Sequence, residues 1–313
     1  MSTFIIGEAG SAHNGEFDRA LHLIDIARDA GCDAVKFQLF KSLYNDTPDF
    51  GGYTNIQEMM ERLEMPRNWV PHLKKYCDDL NIEFIATPFD EEAVNLLVNI
   101  GVKRLKVAAF ESSDPRFLKI CAKTNLPLIV SLGVKSNPSL VLNTILDENP
   151  DCDLTLLHCV SSYPTKPEDV CLLTIKRLKD LWKVIGYSDH TIDTLTPSLA
   201  VALGATVIEK HFCNSRLLNN PDCKFALEPT ELKEMVKNIR ETELKLKYRG
   251  GNINSELINA TRAVYATKQI KRGDVLSEYN MTTSRPFIQG NTPASEFYEL
   301  KIAEKDYEVG DPI

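Results

Sequence analysis

The chain has 313 residues, of which 36 are basic and 44 acidic, so its formal net charge is −8 and its pI is about 5.4. With 43% hydrophobic and 26% charged residues, the composition is that of a globular protein and excludes disordered, collagenous and coiled-coil chains. The negative charge disfavours nucleic acid as a partner. The sequence shows no apolar run of membrane-spanning length and no signal-peptide pattern at its start. We therefore expect a cytoplasmic protein that has no membrane partner.

Up to about residue 247, short apolar runs alternate with segments of helical period, which indicates parallel strands joined by crossover helices. Eight strands are predicted, over residues 4–7, 34–39, 83–87, 104–108, 128–131, 154–158, 184–187 and 206–209. Helical patterns lie between them. Eight such units in about 245 residues favour an α/β fold of the (β/α)8 TIM-barrel type over a doubly wound sheet. The first strand is also followed by no Gly-x-Gly-x-x-Gly turn, which the doubly wound alternative would favour.

The domain organisation follows from a change of texture near the C-terminus. Residues 1–247 are predicted to form the barrel, and the glycine-bearing polar stretch 248–258 is typical of a linker. Residues 259–313 predict a small β-rich domain of short strands and tight turns. Because a piece of about 55 residues is small for an independent core, we expect it to dock on a barrel, its own or a neighbour's.

Chemically active side chains stand at the C-terminal ends of the predicted strands, where TIM barrels build their active sites. They are Glu8, Lys36, Gln38, Lys106, Ser131, Ser188, His190, Glu209 and His211. Two lysines and two serines facing one mouth would bind phosphate or carboxylate. His190 and His211, on adjacent strands, could share one divalent metal. This pattern alone leaves aldol-type condensation, metal-assisted hydrolysis and isomerisation open.

Six motifs carry a resemblance to a known family. In chain order they are Glu8-Ala9-Gly10-Ser11-Ala12-His13-Asn14-Gly15, Lys36-Phe37-Gln38, Thr87-Pro88-Phe89-Asp90, His158-Cys159-Val160-Ser161-Ser162-Tyr163-Pro164-Thr165, Gly186-Tyr187-Ser188-Asp189-His190-Thr191 and Glu209-Lys210-His211-Phe212. With these motifs the chain resembles the sialic acid synthase family, which includes the legionaminic and pseudaminic acid synthases. The resemblance covers essentially the whole chain, since residues from about 260 onward resemble the family's small antifreeze-like, or SAF, domain.

The resemblance implies a transferase that condenses phosphoenolpyruvate with a 2-acetamido sugar aldehyde. The acceptor would be N-acetylmannosamine or a 6-deoxy or diacetamido relative, and the products a nine-carbon nonulosonic acid and phosphate. His190 and His211 would hold a divalent cation, Mn²⁺ or Mg²⁺, and polarise the aldehyde, while Glu8 would serve the water that adds at C2. Phosphoenolpyruvate would be bound by Lys36, Lys106, Ser131 and Ser188.

The resemblance also implies which residues recognise the sugar. Gln38, Tyr163 and Asp222 would line the sugar end of the site. Arg285 would reach the N-acyl group across the interface of a homodimer that swaps its C-terminal domains. The active site would then be completed by a second copy of the chain.

Three alanines depart from the family pattern. Ala12 stands where asparagine is usual, Ala109 where a phosphate-binding serine is usual, and Ala226 where serine is common. Two alternatives therefore stay open. One is a catalytically silent paralogue that binds a sugar or phosphorylated ligand and regulates surface-glycan synthesis. The other is a related enzyme that condenses phosphoenolpyruvate with a sugar to give a different product.

Overall fold

The computed structural model describes residues 2–41, 60–133, 136–247, 260–288 and 290–313. The chain divides into two compact units, Met1–Lys247 and Tyr248–Ile313. The predicted linker, 248–258, lies outside the described residues. Within the described ranges, no helix is long and apolar enough to cross a membrane.

The large unit is built on eight parallel strands. They are β1 Phe4–Gly10, β2 Ala34–Leu39, β3 Glu83–Pro88, β4 Leu105–Val107, β5 Leu128–Leu132, β6 Leu154–Cys159, β7 Ile185–Asp189 and β8 Val207–His211. Their order in the sheet is β3-β2-β1-β8-β7-β6-β5-β4, and β3 also contacts β4. The strands therefore form a nearly closed ring, which confirms the predicted TIM barrel.

Helices follow the strands and cover the outside of the barrel. They are α1 Phe17–Ala30, α2 Val70–Asp79, α3 Glu91–Asn99, α4 Pro115–Ala122, α5 Pro138–Glu148, α6 Thr174–Lys179, α7 Thr196–Ala202 and α8 Pro229–Leu246. Side chains cap several of them: Asp90 accepts a hydrogen bond from Ala93 N at the start of α3, and Asn137 accepts from Ser139 N and Leu140 N at the start of α5. The helices bury their apolar faces against the outer faces of the strands in one large cluster.

The inside of the barrel is arranged in layers, because side chains two residues apart on a strand point to the same face. The lowest layer is an apolar cluster of Ile6, Ala34, Ile85, Ile129, Leu157 and Val207, with Phe4 packed against it. The residues two positions further along these strands are Glu8, Lys36, Thr87, Ser131, Cys159 and Glu209. An apolar plug thus closes the bottom of the barrel and places the polar layer directly above it.

The small unit has a core of its own. Strands β9 Ala263–Ala266 and β10 Met281–Ser284 pair antiparallel. Val264, Ile270, Leu276, Phe297 and Tyr307 belong to its buried cluster. The β-rich texture predicted for this part of the chain is therefore present, whereas its docking on a barrel and its SAF character stay predictions.

Candidate active site

Lys36 lies between two buried carboxylates. Its Nζ atom is 2.8 Å from Glu8 Oε2 and 3.6 Å from Glu209 Oε2, and it donates a hydrogen bond of 3.0 Å to Thr87 Oγ1. The sequence predicts that Lys36 helps to bind a phosphate or carboxylate group. In the structure two carboxylates, from the adjacent strands β1 and β8, lie against Lys36, and they account for a lysine that is only 3% exposed.

The two carboxyl groups are shifted in opposite directions. Burial raises the pKa of Glu8 to about 7, against the opposing charge of Lys36 and with the help of Glu209. Burial also acts on Glu209, but Lys106, Lys36 and the hydroxyl of Ser188 outweigh it and lower its pKa. Glu8 is therefore the carboxyl that can exchange a proton near neutral pH, while Glu209 stays ionised.

Lys106 and two serines line the neighbouring part of the mouth. Lys106 Nζ is 3.7 Å from Glu209 Oε1 and donates to Val107 O at 3.0 Å. Burial lowers its pKa, and Glu209 offsets this only in part. Ser188 Oγ donates to Glu209 Oε1 at 2.9 Å. The hydroxyl of Ser131 is buried and has no hydrogen-bond partner in the described part of the chain, so it is available to an added ligand.

Ser161 adds a second unpartnered hydroxyl beside Ala109. A Cβ atom built on Gly133 would lie 3.2 Å from both Ser161 Oγ and Ala109 Cβ, so these two atoms flank the same glycine. Ser161 Oγ is buried without a partner among the described residues. The loop after β6 therefore brings a hydroxyl to the part of the mouth where Ala109 lies.

The predicted histidine pair comes together at the ends of β7 and β8. The ring centroids of His190 and His211 are 5.5 Å apart. Nδ1 of His190 is 2.8 Å from Val160 O, and Nδ1 of His211 is buried with no partner among the described residues. Burial, followed by the neighbouring His211, lowers the pKa of His190 to about 4. Burial also lowers the pKa of His211, although Asp222 opposes it, so both rings are neutral at pH 7.

Neutral imidazoles are what a divalent metal requires, and a backbone carbonyl on Nδ1 is the usual way to orient the other nitrogen towards a metal. The His190 contact fits this pattern. Within the described residues, no group of three or more His, Cys, Asp or Glu side chains is arranged to hold a metal. A cation at this pair would have two protein ligands and would leave its other positions to water and substrate.

The predicted sugar-binding residues converge on the end of β1. Gln38 Nε2 donates to Glu8 Oε1 at 2.8 Å. A Cβ atom on Gly10 would lie 2.8 Å from Asp222 Oδ2 and 3.4 Å from both Gln38 Nε2 and Glu8 Oε1. The ring of Tyr163 is 4.3 Å from that of His190, centroid to centroid, and 48% of this tyrosine is exposed. Gln38 and Asp222 therefore lie near Glu8 at the end of β1, and Tyr163 lies against His190.

Arg285 is in the small unit, where it follows β10 and is exposed. Its role at the mouth stays a prediction.

The sequence places Glu209 at the mouth without assigning it a role, and it leaves Phe225 and Ser11 out of the predicted site. Glu209 approaches both lysines, and its spacing of two residues from His211 on one strand could have revealed its role. Phe225 packs edge-on against His211, with ring centroids 5.0 Å apart. Ser11 hydrogen-bonds Asp222. The last two contacts join loops that are distant in sequence, so no local pattern announces them.

The fold and the site together define a TIM-barrel enzyme with an anion pocket beside a histidine pair. Residues 23–250 match the NeuB family, and the chain belongs to that family.

The chain is similar to named synthases over almost its whole length. It is 36% identical to the N,N'-diacetyllegionaminic acid synthase of Campylobacter jejuni, covering 99% of this chain and 98% of the relative. It is 35% identical to a pseudaminic acid synthase of the same species, covering 99% and 95%. The crystal structure of an N-acetylneuraminic acid synthetase from Leptospira borgpetersenii in complex with citrate shares 34% identity, with a TM-score of 0.74 over 82% of this chain and 89% of that one.

These findings confirm the predicted family and the prediction of a synthase-type enzyme.

Proposed function

We propose that the chain condenses phosphoenolpyruvate with a 2-acetamido sugar aldehyde to give a nonulosonic acid and phosphate, in a metal-dependent reaction. The acceptor is N-acetylmannosamine or a 6-deoxy or diacetamido relative. The observation that carries the proposal is the placement of Lys36 and Lys106, which are both buried and both approach the carboxylate of Glu209, two positions before His211 on β8. The names of the relatives, which are synthases of this class of acids, support it.

The lysines and serines would bind the two anionic groups of phosphoenolpyruvate. Lys36 and Lys106 supply charge, while Ser131 and Ser161 have hydroxyls to donate. Such donors act strongly in a mouth from which water is largely excluded, because little dielectric screening remains.

Glu8 would manage the proton of the water that adds at C2. Its pKa of about 7 lets it take up and return a proton at neutral pH. Lys36, 2.8 Å away, holds it in place, and Gln38 fixes its other oxygen. Glu209 stays ionised, and its charge favours the protonated form of both lysines, although burial still lowers the pKa of Lys106.

His190 and His211 would hold the divalent cation, Mn²⁺ or Mg²⁺. When bound, the cation supplies Lewis-acid polarisation of the aldehyde oxygen and favours attack on that carbon by C3 of phosphoenolpyruvate. The ring of Tyr163, tilted by 50° against that of His190, would cover one side of this pair and restrict water there.

One assay tests the proposal. The protein is incubated with phosphoenolpyruvate, Mn²⁺ and a panel of 2-acetamido hexoses that includes N-acetylmannosamine and its 6-deoxy and diacetamido relatives, and phosphate release and product mass are followed. We expect sugar-dependent phosphate release that a chelator abolishes and added Mn²⁺ restores. Absence of phosphate with every sugar would contradict the proposal, and release that survives chelation would contradict its metal dependence.

A further inference from the structure

Asp222 is held from one side only. Its Oδ2 atom accepts two hydrogen bonds from Ser11, at 2.6 Å from the hydroxyl and 3.1 Å from the backbone N–H. Its Oδ1 atom has no hydrogen bond among the residues that the structure describes. Asp222 is also partly exposed, so Oδ1 is the half of the carboxylate that a ligand can reach.

The turn at the end of β1 is shaped around this carboxylate. Gly10 has φ +53, and a Cβ atom there would lie 2.8 Å from Asp222 Oδ2. A larger residue at position 10 would therefore displace the carboxylate, besides adopting a backbone conformation that L side chains rarely take. The glycine allows the Ser11 N–H to approach Oδ2 directly.

Asn220 links the backbone of Ser11 to the backbone of Asp222. Its Oδ1 accepts from Asp222 N at 2.9 Å, and its Nδ2 donates to Ser11 O at 2.8 Å. Asn220 is 1% exposed and Ser11 is 4% exposed. One buried amide thus ties the backbone of the Asp222 segment to the backbone of the β1 turn, and the carboxylate lies between the two.

We propose that Ser11 and Asn220 are positioning residues that immobilise Oδ2 of Asp222 and so direct Oδ1 at the acceptor sugar. This inference rests on the proposed function and deepens it. An unrestrained carboxylate rotates about its last side-chain bond, and two donors on one oxygen remove that freedom before the substrate arrives. An ionised carboxylate only accepts hydrogen bonds. The acceptor must therefore present a hydroxyl or an amide N–H at this point.

The test separates an effect on sugar binding from a general loss of structure. Ser11→Ala removes the hydroxyl donor, and Ser198→Ala is the matched control. Ser198 is also a buried serine, in α7, whose hydroxyl has no partner among the described residues. With the sugar of the panel that is turned over best, we expect Ser11→Ala to raise the acceptor KM at least tenfold. The KM for phosphoenolpyruvate should stay within twofold, and Ser198→Ala should change neither.

A second variant shows whether Ser11 acts through Asp222. In an Asp222→Ala background, Ser11→Ala should change the acceptor KM less than twofold, because the group that it positions is gone. Asn220→Ala should raise the acceptor KM in the same selective way, and it replaces Ser11→Ala if that variant fails to fold. Equal effects of Ser11→Ala in both backgrounds, or a parallel rise in both KM values, would overturn the proposal.

Crystal structures of the wild type and of Ser11→Ala make the outcome independent of turnover. We expect the Asp222 carboxylate to leave its wild-type orientation in the variant. An unchanged orientation would overturn the inference even if the enzyme is active. If instead no sugar is turned over by the wild type, the proposed function fails, while the two structures still decide whether Ser11 positions Asp222.

Discussion

Glu8 and Glu209 show how environment assigns different tasks to one kind of side chain. Both carboxyls are buried and both contact Lys36. Glu209 has a second lysine, Lys106, and a hydroxyl donor in Ser188. Among the residues that the structure describes, Glu8 has only the amide of Gln38 besides Lys36. Because Glu209 has more positively charged partners, it stays ionised. Glu8 has fewer, so burial raises its pKa.

This difference predicts a pH-dependent stability. The pKa of Glu8 rises from 4.5 to about 7 on folding, so its contribution to stability is complete below pH 4.5 and is lost as the pH rises through 7. In Glu8→Gln nothing titrates at this position. We expect the free energy of unfolding of the wild type, relative to the variant, to fall by on the order of 3 kcal/mol between about pH 5 and 8. Urea denaturation with a chelator present measures it, and a constant difference would contradict the assignment.

Lys106→Met is a clean test of phosphoenolpyruvate binding. Removing Lys36 would leave Glu8 and Glu209 without a shared counter-charge, which destabilises a buried site by about 3–5 kcal/mol. Removing Lys106 leaves Glu209 with Lys36 at 3.6 Å. We therefore expect Lys106→Met to fold and to raise the phosphoenolpyruvate KM at least about tenfold. Lys103→Met, an exposed position just before β4, is the control, and equal KM values in the two variants would refute the role.

The strands show what a sequence pattern can and cannot provide. The eight strands followed from apolar runs that alternate with helical segments, and the residues at the mouth followed from their place at the predicted strand ends. In the structure Glu8, Lys36 and Ser131 each stand two positions after a residue of the apolar plug. The exact ends of the strands were not predicted, since β1 continues to Gly10 and β8 to His211. Where a strand ends depends on its pairing with neighbouring strands rather than on local propensity. The partners of Lys36 and Asp222 come from distant strands and loops, so only the folded chain reveals them.

Gly186 lies where β7 packs so closely against β8 that a larger side chain does not fit. A Cβ atom there would overlap the backbone oxygen of Val207 and lie 2.5 Å from Leu157 Cδ2, so Gly186→Ala would force apart the strands that carry the histidines. We expect it to lower the free energy of unfolding by about 2 kcal/mol or more. The control is Gly101→Ala. A Cβ atom on Gly101 would have no atom within 4 Å, but φ is +72 there, so this variant measures the cost of the backbone conformation alone, about 1 kcal/mol. If Gly186→Ala and Gly101→Ala lowered the free energy of unfolding equally in denaturation experiments, the packing argument would be contradicted.

At the scale of the whole molecule, we propose that the small unit caps the barrel of a second copy, so that Arg285 acts in trans in a swapped homodimer. Its surface supports such docking, since Val275, Tyr279, Tyr298 and Ile302 are 60% exposed or more. A barrel mouth that handles a reactive intermediate also needs water restricted.

Mixed dimers test this arrangement. Glu8→Gln chains lack the proton carrier but keep Arg285, and Arg285→Ala chains have the opposite defect. If Arg285 acts in trans, one site in each mixed dimer is complete, and co-refolding equal amounts should recover about a quarter of wild-type sites when pairing is random. If it acts in cis, no site is complete. Activity that never exceeds the sum of the two variants, with subunit exchange verified, would exclude the swap.

The formation of a carbon–carbon bond is the most direct test of the proposed chemistry. Phosphoenolpyruvate labelled with ¹³C at C3 is incubated with the protein, Mn²⁺ and a 2-acetamido sugar of the panel labelled with ¹³C at C1, and the product is examined by ¹³C NMR. The proposal predicts that the two labelled carbons become directly bonded and show one-bond coupling, with one phosphate released for each coupled product. Phosphate release without this coupling would contradict it, because the enzyme would then be hydrolysing phosphoenolpyruvate rather than joining it to a sugar.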